Sequence, residues 1–213
     1  MNATLLPSPT DQIFRDDPSP EVDRAWRRIS NEQPIALSKE EVIALGKDPS
    51  EAVQYPESFG LGESYAGRID VFHQIHCLDA LRREAHWNYY YASKYPDLEH
   101  STKLHQVHLS HCIYYLLQNI MCQASVDVYT HVWTDSLLQP FPDFNTTKTC
   151  RNFDAVLNWQ ERNGVGLEEF YKLRKPREFE GMWIMEEAFK DVWREFEWWN
   201  PEGERMRDGT KTG

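Results

Sequence analysis

The feature that most constrains this chain is a five-residue pattern written twice, HQIHC at His73–Cys77 and HLSHC at His108–Cys112. Both copies read His-x-x-His-Cys, and each lies in an apolar-periodic segment. Those segments predict helices over residues 69–92 and 102–122, separated by the turn KYPDLEH. At about 100° per residue, His73, His76 and Cys77 share one face with Ala80, and Val71, Ile75 and Leu78 lie opposite. In the second segment His108, His111 and Cys112 share a face with Tyr115 and Asn119, opposed by Leu109, Ile113, Leu116 and Ile120. A helix with one imidazole side and one aliphatic side is expected to be buried on both.

Two histidines at i and i+3 can serve one metal ion together, or each can serve a neighbouring ion. Four imidazoles on two helices suffice for one tetragonal site or for two sites of low coordination. Such ligands suit Cu, Zn, Fe and Ni, and do not suit Ca or Mg. The competing reading is two pairs of buried histidines hydrogen-bonded to carbonyls. Repetition of the whole pattern in one helical register weighs toward metal. The thiols leave alternatives open. Cys77 and Cys112 could ligate beside the imidazoles, favouring zinc or a copper–thiolate site, or could staple the two helices. Cys122 and Cys150 would then pair, and four cysteines allow three connectivities. His105 extends the run as a reserve ligand, His86 and His131 are weaker candidates, and His100 reads as a turn residue. The chain has no GxSxG, no glycine-rich phosphate loop, no HExxH and no CxxCH.

The remaining chain reads as one mainly α domain with long irregular arms. Its 213 residues suffice for a single core, and a hydrophobic content of 40% excludes a disordered chain. The net charge of −11 argues against a nucleic-acid backbone or an anionic membrane surface as partner. Residues 1–17, with several prolines, read as a flexible arm, 18–200 as the helical domain and 201–213 as a disordered tail. Ser19 and Pro20 predict a helix start, LSKEEVIALG a short capped helix ending at Gly46, and a Gly/Pro-rich loop runs on to Gly67. Residues 127–133 alternate enough for a short strand, though a helix end fits too, LQPFPDFNTTKT reads as a loop, and CRNFDAVLNWQERNG as a helix closed by Gly164. The stripe Met185, Phe189, Val192, Trp193, Phe196, Trp199 is expected to dock on the protein's own core. The basic cluster Lys172, Arg174, Lys175 and Arg177 reads as a solvated face. No run approaches the ~18 apolar residues of a membrane span. An even count of four cysteines and sequons at Asn2 and Asn145 nevertheless point to a secretory compartment.

The segments DVFHQIHCLDALR, HLSHCIYYLLQNIMC and PFPDFNTTKTCRNFDAVLNW, with PSPEVDRAW before them, resemble the fungal UstYa family of mycotoxin-biosynthesis proteins. The doubled HxxHC is the specific part, and the resemblance runs from about Pro18 to Trp159. It implies oxidative tailoring of ribosomal peptides and other secondary metabolites by macrocyclisation, hydroxylation or halogenation, with copper as cofactor and O₂ as co-substrate. The implied site residues are His73, His76, Cys77, His108, His111 and Cys112, the four histidines being catalytic. The resemblance also implies a peptide or related natural product as substrate and a second family subunit or a homodimer as partner. The implied location is the secretory-pathway lumen, with a membrane anchor in the full-length protein, and at least one disulfide that includes Cys122 or Cys150. Tyr115, one turn beyond His111, reads first as a packing residue and second as a candidate for lining the pocket. Two rival readings stay open: a non-redox cyclase or isomerase using the histidines as acid and base, and a metal-stabilised partner subunit.

Overall fold

A computed structural model describes residues 12–144, 146–176 and 184–194. Among them are eight helices and two sheets of two short strands each, a mainly α architecture as expected. Both sequons' asparagines, Arg177, Phe196, Trp199 and the tail from 201 lie outside the described residues.

Helix α1 (Pro20–Ile29) starts where the sequence places it, with the Ser19 side chain accepting the Val22 N–H and Pro20 in the first turn. Ahead of it, Gln12–Phe14 form a 3-10 turn, and the Phe14 ring meets Trp26 edge-on at 5.8 Å. Strand β1 (Ile35–Leu37) follows, then α2 (Lys39–Ala44), which opens with a complete capping box between Ser38 and Glu41. Strand β2 (Tyr65–Gly67) pairs antiparallel with β1.

The first motif lies on α3 (Asp70–Ala85), and the second on α5 (Lys103–Gln123), whose N-cap Thr102 accepts the His105 N–H. The predicted helix over 69–92 breaks at His86, which leaves helical geometry (φ −114, ψ 42), and resumes as the single turn α4 (Trp87–Tyr90). The break has a packing cause. It brings the Trp87 ring within 5.0 Å of Tyr91 and 6.0 Å of His105, and lets Tyr90 reach back to α1. In place of the strand over 127–133, β3 covers only His131–Val132. Its partner β4 (Phe141–Pro142) lies inside the segment read as a loop.

Helix α6 (Phe153–Asn163) is capped by the Asn152 side chain and ends at Gly164, as expected. The reason for a glycine there differs from the αL cap that the sequence suggests. Gly164 is extended (φ −73, ψ 147), and a Cβ on it would sit 2.4 Å from the Gln33 side chain. The residue permits a close approach of α6 to the segment after α1, where Ile35 bridges Gly164 and the Val165 N–H donates to the Pro34 carbonyl at 2.6 Å. Helices α7 (Leu167–Phe170) and α8 (Glu187–Trp193) complete the described chain, and α8 packs on α5. Lys172 pairs with Glu168 and Glu169 in solvent, as a solvated basic face should.

The main packing is α3 against α5, flanked by α1 and α6. Val22, Trp26, Phe72, Cys77, Cys112 and Leu157 are buried, and Phe72 meets Phe153 with ring centroids 6.0 Å apart. One expectation is overturned: the aliphatic sides of the motif helices are not both buried. Leu78, Ile113 and Ile120 are 48%, 52% and 69% exposed. The two helices spend their imidazole and thiol sides on each other, and α8 packs on α5.

Candidate metal centre

Cross-links between α3 and α5 run from both ends with opposite polarity. Tyr115 donates to Asp70, Gln74 to Asn119 at 3.1 Å, and Glu84 meets His105 at 2.8 Å, so the helices are antiparallel. This answers what the duplication does. The second histidine of one motif meets the first of the other: His73 lies by His111 (ring centroids 5.7 Å) and His76 by His108 (5.4 Å). Exchanging the two helices maps one pair onto the other, an approximate two-fold. The Cys77 and Cys112 thiols are both fully buried, and each is felt electrostatically by the other. All four motif histidines therefore form one row of rings, since His73 and His76 are also adjacent at 5.9 Å.

The two pairs are not alike. His73 Nε2 and His111 Nε2 are 3.4 Å apart, and with Cys77 Sγ their ligand atoms lie within 4.8 Å of one another. An imidazole–metal bond of ~2.0–2.1 Å at a near-tetrahedral angle puts two ligand nitrogens about 3.3–3.4 Å apart. The His73–His111 pair has that spacing, and its donor set of imidazole and thiol suits Cu or Zn. Tyr115 closes this end: its ring lies edge-on to His73 at 4.7 Å and stacked on His111 at 5.7 Å. It does not line the neighbouring cavity. His76 and His108 do, in a cavity of about 300 Å³ between α1, α3 and α5 that also holds Arg27, Arg83, Tyr91 and His105. His108 Nε2 is 3.6 Å from Cys112 Sγ.

The residue that sequence reasoning missed is Glu32. It sits in a non-periodic stretch after α1, where nothing in the local pattern marks it. The fold pins that stretch from α6, whose Gln160 donates to the Asn31 carbonyl at 2.6 Å. Glu32 is thereby set over the first motif, 2.5 Å from His73 Nδ1 and 3.8 Å from His76 Nδ1, with Arg68 at 3.9 Å. A carboxylate only accepts, so His73 donates from Nδ1, and in the neutral ring the Nε2 lone pair is the one left facing His111. Burial opposes ionisation of Glu32. The hydrogen bond from His73 and the charges of His76, His73 and Arg68 outweigh it and hold the carboxyl below its ordinary range. The same hydrogen bond from Glu32 raises His73. His108 is lowered, first by burial and then by the neighbouring histidines. Burial raises both thiols, Cys77 more so through its contact with Cys112.

The other candidates are accounted for. His105 is engaged by Glu84 and packs edge-on to Tyr91 at 4.8 Å. His100 bonds to Asp97 in the turn, His86 marks the helix break, and His131 lies beside Tyr129 at 5.6 Å. All four cysteines are free thiols in this structure, so the disulfide expected through Cys122 or Cys150 is not formed. Both of those residues are exposed, one at the end of α5 and one in the loop before α6. No helix among the described residues is long and apolar enough to cross a membrane.

Comparison with known proteins supports the family that the sequence resembles. The chain is 34% identical over 183 residues to the UstYa family oxidase aprY of Aspergillus flavus, covering 84% of this chain and 55% of that one. It is 31% identical over 167 residues to the UstYa family oxidase phomYc of Diaporthe leptostromiformis, covering 78% and 63%. A transacylase of Talaromyces islandicus, cctO, is 25% identical over 173 residues, covering 76% and 55%. The chain thus spans little more than half the length of most of these relatives. No solved structure matches it. The family described as Mycotoxin biosynthesis protein UstYa matches residues 2–163, and the chain belongs to that family.

Proposed function

We propose that this chain is an oxidative tailoring enzyme of fungal secondary metabolism that uses copper and O₂ on a peptide or related natural product. The observation that carries the reading is the His73–His111 spacing of 3.4 Å beside the Cys77 thiol, a donor set built across two helices. Two relatives named as oxidases support it. His73, His111 and Cys77 would hold the metal, with His76, His108 and Cys112 as the two-fold counterpart. Bound copper supplies one-electron chemistry with O₂, which suits hydroxylation, halogenation or coupling through aromatic side chains.

The chain's own residues do the rest. Burial of Cys77 keeps the thiol protonated in the absence of metal, so binding there releases a proton. Burial and the neighbouring histidines keep His108 neutral, which leaves it a lone pair toward ligand or substrate. The cavity next to His76 and His108 is at the small end for a ligand site, the size of one residue of a peptide. Arg27, on its wall, has no ion-pair partner among the described residues. The test is metal analysis of the purified protein, then incubation of the copper-loaded enzyme with the precursor made by the neighbouring biosynthetic genes. Loss of two hydrogens or gain of one oxygen in the product, dependent on O₂, is the expected result.

A second reading, acid–base catalysis without redox, is favoured by the Glu32–His73 carboxylate–imidazole pair and by the relative named as a transacylase. It requires a product formed equally well under nitrogen. We also place the protein in the secretory-pathway lumen, on the strength of its two sequons. A mass shift on endoglycosidase treatment of the native protein tests that placement.

A further inference from the structure

We propose that Glu32 is the positioning residue that makes the two half-sites unlike, fixing His73 toward His111 as the tight metal-binding half and leaving His76–His108 open to the cavity. The inference rests on the metal reading above and deepens it.

The approximate two-fold relates His73–His111 to His108–His76, so the motifs alone would build two equal halves. Among the described residues no carboxylate pairs with His108 as Glu32 does with His73. Glu32 comes from the segment after α1, outside both motif helices, and its carboxylate contacts His73 while His108 has Cys112 of its own motif as neighbour. The carboxylate is itself held. Its side chain is 17% exposed, the Arg68 guanidinium lies 3.9 Å from the same oxygen that His73 meets, and that guanidinium rests 5.3 Å above the Phe170 ring. The preceding residue's carbonyl is tied to Gln160 of α6. A ring anchored at Nδ1 by so constrained an acceptor loses rotational freedom about χ2, and its Nε2 is presented in one direction. Carboxylate–imidazole pairs of this kind orient metal ligands and raise their basicity, and their loss costs ~10–100-fold in metal affinity. His76 Nδ1 is too far from Glu32 for a hydrogen bond, so His76 is not fixed in the same way. The half-site that faces the cavity is the one left adjustable.

The experiment uses the full chain, E32A and the near-isosteric E32Q, each checked by far-UV circular dichroism. Long-range ¹H–¹⁵N correlation of the histidine rings in metal-free protein reads the tautomer directly. The expected result is an Nδ1–H tautomer for His73 in wild type, shifted toward Nε2–H in E32A and intermediate in E32Q. Titration with Cu(II) is then expected to show the first equivalent weakened ~10–100-fold in E32A, with the second changed far less. A His73 proton on Nε2 in wild type, or an equal loss of both equivalents in the variants, overturns the proposal. A wild-type protein that binds no Cu(II) yet shows the Glu32-dependent tautomer sinks the copper reading while the positioning role stands. Should E32A misfold, E32Q carries both measurements.

Discussion

Replacing Arg82 with alanine tests the joint that sets the whole centre. Arg82 lies on α3 with its side chain 11% exposed. It donates to Asp79 at 2.8 Å, to the Tyr90 hydroxyl at 2.8 Å and to Asp23 of α1 at 3.2 Å. Its guanidinium also lies 5.1 Å from the Trp26 ring and 5.1 Å from the Tyr90 ring. Breaking a buried ion pair by removing one partner costs ~3–5 kcal/mol, because the other charge is left uncompensated. Here the compensation is partial: Asp79 keeps Arg83 at 2.9 Å and Asp23 keeps the Tyr90 hydroxyl at 2.5 Å. The lost stacking on two rings adds back ~0.5–1 kcal/mol each. With those retained contacts lowering the ion-pair loss to about 2 kcal/mol, the total is about 3–4 kcal/mol, a melting-temperature drop of roughly 6–16 °C for a domain of this size. Arg83→Ala is the internal comparison. Arg83 is 34% exposed and Asp79, its partner, retains Arg82, so the loss should be at most about 1 kcal/mol and a few degrees. Calorimetric scans of both variants decide it. Equal drops for R82A and R83A would refute the reasoning that the buried three-way donor, not carboxylate pairing in general, docks α1. Because α1 leads directly into Glu32, R82A should also weaken copper binding, whereas R83A should leave it near wild type.

Further outcomes follow from the same geometry. His111→Ala and His76→Ala should each lose metal from one half-site and abolish turnover while keeping the helical far-UV signal, and His100→Ala should match wild type. Metal content and circular dichroism check this, and unfolding of H76A would make the histidines structural. Alkylation of native protein without reductant should label the exposed Cys122 and Cys150 quickly and Cys77 and Cys112 only after unfolding, read by mass spectrometry. Asp23 supplies the pH dependence. Burial opposes its ionisation, but hydrogen bonds from Tyr90 and Arg82 outweigh it and hold the folded carboxyl below its ordinary 3.8. Its stabilising contribution is thus complete above about pH 4 and is lost as pH falls through the folded value. Asp23→Asn should melt lower at neutral pH and lose the part of the wild type's acid decline that falls below about pH 4.

Much of this was legible in the sequence where chemistry is local. Ser19–Pro20, Ser38–Glu41 and Thr102 announce their helices because a cap is satisfied within a few residues. The HxxHC spacing likewise announces imidazole faces. What the local pattern cannot carry is which helix faces which. The aliphatic residues opposite the motifs look like core, yet Ile113 and Ile120 are exposed, because the polar faces pack together instead. His86 looked like one more helical residue until three aromatic rings required the break. Glu32 was invisible for the same reason: its role depends on α6 holding the chain after α1, a contact between segments 129 residues apart.

The pairing of histidines across α3 and α5 has a consequence for how such a centre can be inherited or lost. Neither helix owns a half-site, so a fragment that ends in the turn before α5 carries two of the four imidazoles and no pair. Loss of a whole motif is felt at both sites, and no duplicate stands in reserve. A slip of one helical turn between the helices, ~5.4 Å, would part every pair at once. Metal uptake in this protein therefore reports whether two segments of chain have found their register, and it can serve as a direct readout of late folding.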